Sequence, residues 1–186
     1  MIDEPLYSSW SGVDVALLIS LLPLLVLSAF FSCSETAFFR ITQAQSIELQ
    51  QRKTPPANAA LRLIKQRRTV LITILIGNMT ANVFFFVVSS VIMLRAPGGV
   101  TTEIGIALAT LFSIVIFGEV LPKMAATARP VGIATLLAPP LLLLHHFISP
   151  LRRFIDWIII TPLSRLATSD PSPPLDANEL AALVAL

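Results

Sequence analysis

Three long apolar stretches, at about residues 13–36, 70–94 and 102–122, limit what this chain can fold into. A helix rises 1.5 Å per residue, so about 20 residues cross the hydrocarbon layer of a bilayer. Irregular backbone is excluded there, because unpaired N–H and C=O groups would face hydrocarbon. The three stretches therefore predict three membrane-crossing helices in an all-α membrane protein. Composition agrees. The chain is 55% hydrophobic and 13% charged, whereas a soluble domain carries about 25% charged residues. Its mean hydropathy is +0.81. These values exclude an ordinary soluble domain and a disordered chain, and Cys33, the single cysteine, excludes an internal disulfide framework.

The charges are distributed by segment, as topology requires, and no basic-aromatic stretch suggests a nucleic-acid partner. Residues 40–68 hold Arg40, Arg52, Lys53, Arg62, Lys65, Arg67 and Arg68 against one acid, Glu48. That segment is expected on the cytoplasmic face, as two short amphipathic helices around the break at Thr54-Pro55-Pro56. The N-terminal tail has Asp3 and Glu4 but no basic residue, unlike the start of a secretory signal. It is expected outside, as is the short loop at 95–103.

Residues 131–147 are apolar but contain Pro139-Pro140 and are flanked by Lys123 and Arg129 on one side and Arg152 and Arg153 on the other. They are read as part of a bent juxtamembrane helical belt, about 130–166, segmented by prolines 139–140, 150 and 162. With three spans, the C-terminus is then cytoplasmic. Residues 1–168 form the expected membrane domain. Residues 169–186, opening on Ser169-Asp170-Pro171-Ser172-Pro173-Pro174, read as a linker and the first turns of a following cytosolic domain.

Polar residues within the spans carry the functional information, because each needs a partner that lipid does not supply. Ser28, Ser32 and Glu35 stand at i, i+4 and i+7, on one helix face, while Ser34 points about 200° away from Ser32. Asn78 and Asn82 stand at i and i+4, preceded by Gly77. The third cluster is Gly118-Glu119-Val120-Leu121-Pro122-Lys123. Pro122 lacks the N–H that would bond the Gly118 carbonyl, so a free carbonyl is expected beside the Glu119 carboxylate. The plainer reading makes these residues packing contacts, with Glu119 paired to Lys123 at i+4. Against it, all three clusters fall at a similar depth in the cytoplasmic half. Hard oxygens without His or Cys suit Mg²⁺, Ca²⁺ or Na⁺.

In order and spacing, Phe31-Ser32-Cys33-Ser34-Glu35-Thr36-Ala37, then Gly77-Asn78 with Asn82, then Gly118 to Lys123, resemble the transmembrane domain of the CorC/cyclin-M magnesium (and cobalt) transporters. The resemblance implies a homodimer of three-span subunits in the cell (inner) membrane, exporting Mg²⁺ by exchange with Na⁺. It implies an inward-facing Mg²⁺ site drawn from Ser28, Ser32, Ser34, Asn78, Asn82, Gly118 and Glu119. Glu35, Pro122 and Lys123 would have structural or coupling roles. It also implies ATP-binding CBS modules in the full-length protein.

Two other classes compete with an ion transporter. A non-transporting membrane scaffold for a cytosolic regulatory domain would use the same polar residues to hold helices together. An intramembrane hydrolase would need a paired nucleophile and base. His145 and His146 stand far from the serines in sequence and are read as interfacial, so no enzyme is expected.

Overall fold

The computed structural model describes residues 12–155, which are helical almost throughout. Helix α1 is Gly12–Arg40, α2 Gln43–Arg52, α3 Pro55–Lys65 and α4 Arg67–Arg95. Then α5, Gly99–Ser113, runs through a π-helical segment, Ile114–Val120, into α6, Leu121–Ala128, and α7 is Pro130–Ile155. Residues through Ile148 form one compact unit. The N-terminal tail, Pro162 and the expected linker at 169–186 lie outside the described residues.

The three predicted spans are α1, α4 and the continuous α5–α6 rod, each somewhat longer than expected. Pro23 sits inside α1 without ending it, since the loss of one hydrogen bond costs less in lipid than opening the backbone further. The basic segment forms two helices as anticipated. A reciprocal capping box starts α2, in which the Gln45 amide donates to Thr42 Oγ1 and the Thr42 amide to Gln45 Oε1. Lys53, in the left-handed region at φ 48°, ends it. Pro55 and Pro56 open α3, where their missing N–H groups are not needed.

The fourth long helix corrects the sequence reading. Among the described residues four helices, not three, are long and apolar enough to cross a membrane, and the fourth is Pro130–Phe147. The expected bent pair is one helix, and α7 continues through Pro139, Pro140 and Pro150 to Ile155. Prolines 139 and 140 free only the carbonyls of Thr135 and Leu136. The Leu- and Ala-rich turns around them keep the remaining bonds, which apolar surroundings reward.

The packed core lies at one end of the molecule. Phe31, Phe38, Leu49, Leu63, Val70 and Ile74 are buried there, joined by Ala134, Ala138 and Leu141 along one face of α7. Small residues on α3 and α7 allow close helix approach. Toward the other end, large apolar side chains face outward, among them Ile19, Leu22, Leu94 and Val100. A lipid-facing surface needs no polar cover. The core end holds the polar clusters.

Candidate functional site

Helices α1 and α4 pack along their length, and the π segment and α6 close against α1. This packing brings two of the serines, both asparagines and Glu119 together. Ser28 and Ser32 are fully buried. The Ser28 hydroxyl donates to Asn82 Oδ1 at 2.7 Å and lies 3.4 Å from Asn78 Oδ1. Asn82 Nδ2 donates to Glu119 Oε1 at 3.1 Å. Ser32 Oγ donates to the backbone carbonyl of Glu119 at 3.3 Å. Asn82 is therefore the hub that ties α1 to the third rod.

Two glycines make the approach possible. A Cβ on Gly118 would lie 2.9 Å from Ser28 Oγ and 3.0 Å from Ile114 Cδ1. A Cβ on Gly77 would run into the Phe31 ring. The Phe31 ring thus fills the space a side chain at 77 would need, which sets the depth of α1 against α4 one turn before Asn82. Phe31 and Gly77 were legible only as motif neighbours. Their contact crosses between helices.

The π segment was not anticipated. Its register shows in the Leu121 N–H, which donates to the Ile116 carbonyl five residues back. One extra residue in a turn rotates the downstream part of the rod. The carbonyl that a side chain meets is that of Glu119 rather than Gly118, and the Glu119 carboxylate turns toward Asn82. The signal available in sequence was Gly118 four residues ahead of Pro122, which predicts disturbed hydrogen bonding but not its form.

Other expected residues stand apart. Ser34 is fully buried, and its hydroxyl makes no hydrogen bond to the cluster. Lys123 does not pair with Glu119 at i+4. Its Nζ lies 3.6 Å from Glu35 Oε2, so the two charged candidates pair with each other across α1 and α6. Pro122 lies where the π segment passes into α6. His145 is buried within the protein: it is 6% exposed and its Nδ1 lies 3.0 Å from Thr73 Oγ1. Thr73 donates its own proton to the Thr69 carbonyl, so it accepts from His145 Nδ1–H. His146 is exposed.

The cluster offers hydroxyl, amide, carboxylate and carbonyl oxygens from three helices. Among the described residues, no three His, Cys, Asp or Glu side chains gather as a metal centre. The site is a hard-oxygen one with a single carboxylate. Such a donor set does not retain a soft transition metal and favours cations that bind oxygen and keep part of their water.

Residues 18–186 match the family model described as the cyclin M transmembrane N-terminal domain. Three relatives are similar over parts of their length. A UPF0053 protein of Haemophilus influenzae is 34% identical over 110 residues, covering 59% of this chain and 26% of the relative. The UPF0053 inner membrane protein YfjD of Escherichia coli is 29% identical over 111 residues, covering 58% and 25%. A chloroplastic DUF21 domain-containing protein of Arabidopsis thaliana is 27% identical over 155 residues, covering 81% and 23%. The alignments cover only about a quarter of the length of these relatives.

Proposed function

This chain belongs to the cyclin M transmembrane-domain family, and on that footing we propose that it exports Mg²⁺ by exchange with Na⁺. Family membership supports a membrane transport-related role. The Mg²⁺ site in our reading is Ser28, Ser32, Asn78, Asn82 and Glu119, with Gly118 keeping the helices close. The observation that carries it is the Asn82 hub, which joins Ser28 on α1 to the Glu119 carboxylate. Three helices that share a cation can release it when they separate, and separation of helices is what alternating access requires. The single carboxylate keeps affinity modest, so that the ion leaves. A chain of this kind works as a homodimer in a cell membrane, with its N-terminus outside and residues 40–68 cytoplasmic.

One observation favours the scaffold reading instead. Ser28, Asn82 and Glu119 satisfy one another by hydrogen bonding, which is also what structural contacts between helices do. Mg²⁺ binding to the purified, detergent-solubilised protein separates the two readings, with Glu119→Ala as the control. Transport predicts saturable binding that the folded variant loses, followed by Mg²⁺ flux that depends on a Na⁺ gradient. Absence of binding by the wild type up to tens of millimolar Mg²⁺ would leave the scaffold as the better account.

A further inference from the structure

A cavity of about 430 Å³ begins one to two helical turns beyond the polar cluster on each of its three helices. Its walls carry Leu21 on α1, Phe85 and Ser89 on α4, and Thr102, Thr110 and Ser113 on α5. Each helix leads from cluster to cavity in the same direction. On α4, Asn82 is followed by Phe85 and Ser89 at i+3 and i+7. On α1, Leu21 lies seven residues before Ser28. On the third rod, Ser113 lies five residues before Gly118. The cavity therefore continues the same crevice, away from the basic segment at 40–68 and toward the turn at 96–98.

Its hydroxyls are arranged as a file. Thr102, Thr110 and Ser113 share one face of α5, with Ile106 between them. Ser89 faces them from α4. It is 5% exposed and its hydroxyl has no hydrogen-bond partner. Four other hydroxyls on the long helices bond back to their own helix: Ser20 to Leu17, Thr73 to Thr69, Ser90 to Phe86 and Thr135 to Val131. Ser89 does not, and it lines the cavity. Phe85, 2% exposed, stands between Ser89 and Asn82 and also lines the cavity. The space, about 430 Å³, is large enough for a divalent cation that keeps part of its hydration shell.

We infer that this cavity is the outward half of the ion path, a vestibule that takes a hydrated divalent cation. Phe85 is the apolar barrier that separates it from the inward-facing cluster. The inference rests on the Mg²⁺-export reading above. Leu21 and Phe85 exclude water at the end nearer the cluster, and the hydroxyl file solvates the ion once it has passed. Bulk at Ser89 or Thr110 closes the path without touching the cluster.

The test uses the full-length protein in intact cells, with Cys33→Ser removing the one cysteine of these residues. Ser89→Cys and Thr110→Cys are expected to react with a membrane-impermeant quaternary-ammonium methanethiosulfonate added outside. Leu108→Cys, on the outward apolar surface of α5, is expected not to react. In transport assays Ser89→Trp and Thr110→Trp are each expected to cut Mg²⁺ efflux at least tenfold. Their Mg²⁺ binding midpoint should stay within twofold of wild type, which also reports that they fold. Wild-type efflux in either tryptophan variant, or no labelling at both cysteines, would overturn the vestibule. A wild type that binds no Mg²⁺ while both cysteines label would instead overturn the export reading and leave a water-filled outer cavity.

Discussion

Asn82→Asp separates a cation site from a structural contact more sharply than removal of the side chain. The aspartate keeps the oxygen that accepts from Ser28 at 2.7 Å. It replaces the amide that donates to Glu119 Oε1 at 3.1 Å with a second carboxylate oxygen. Two unit charges at that distance repel by about 5 kcal/mol at an effective dielectric constant near 20. Both side chains are partly exposed and rotate apart, so the expected net loss of stability is about 1–3 kcal/mol. A divalent cation between the two carboxylates reverses the sign of this change. A tenfold tighter site corresponds to about 1.4 kcal/mol. At equal, near-saturating Mg²⁺ that difference appears directly as extra stabilisation.

The assay is thermal unfolding in detergent, with and without Mg²⁺, at constant ionic strength set by choline chloride. A change of 1 kcal/mol moves the melting temperature by roughly 2–4 °C for a chain of this size. Asn82→Asp is therefore expected to melt below the wild type without Mg²⁺ and to gain about 3–6 °C more from Mg²⁺ than the wild type does. If Mg²⁺ raises both proteins equally, or raises neither, the Asn82–Glu119 contact is structural and the site reasoning fails.

Gly77→Ala forces its new methyl group into the Phe31 ring and is expected to cost about 1–3 kcal/mol by overpacking. Chemical denaturation in detergent reads the loss, and Phe31→Leu in the same protein should recover part of it. Lys123→Ala breaks the 3.6 Å pair with Glu35, in which the side chains are 44% and 31% exposed. Its stability is expected to change by no more than about 1 kcal/mol. Its Mg²⁺ binding midpoint should match the wild type, because Lys123 does not touch Glu119, and a large shift in titration calorimetry would contradict that.

Much of the site was legible because depth in a membrane is arithmetic. Ser28, Asn82 and Glu119 lie in different helices, but counting residues from each membrane face places them at one level. Helical periodicity also separates Ser34 from Ser32, and the Ser34 hydroxyl makes no hydrogen bond to the cluster. The illegible part depends on how the rods turn about their own axes. The π segment adds a residue to one turn, and this extra rotation accompanies the close approach of Gly118 to Ser28. Local sequence carries the glycine and the proline but not the partner serine. The pairing of Lys123 with Glu35 reflects the same rotation, since a regular helix would have put Lys123 beside Glu119.

The fourth helix was missed for a different reason. Two physical terms were read as one. Flanking arginines report which side of a membrane a segment's ends prefer. Prolines report where a helix loses hydrogen bonds. Neither measures whether the helix continues. Continuity is set by the cost of the next best backbone arrangement. At Pro139 and Pro140 that alternative would expose several further carbonyl and amide groups to an apolar environment, against the two carbonyls the prolines already release. The same balance keeps α1 whole through Pro23. At Thr54-Pro55-Pro56 the opposite holds. That break lies among basic, exposed residues where water takes up the backbone groups, and there the prolines begin a new helix.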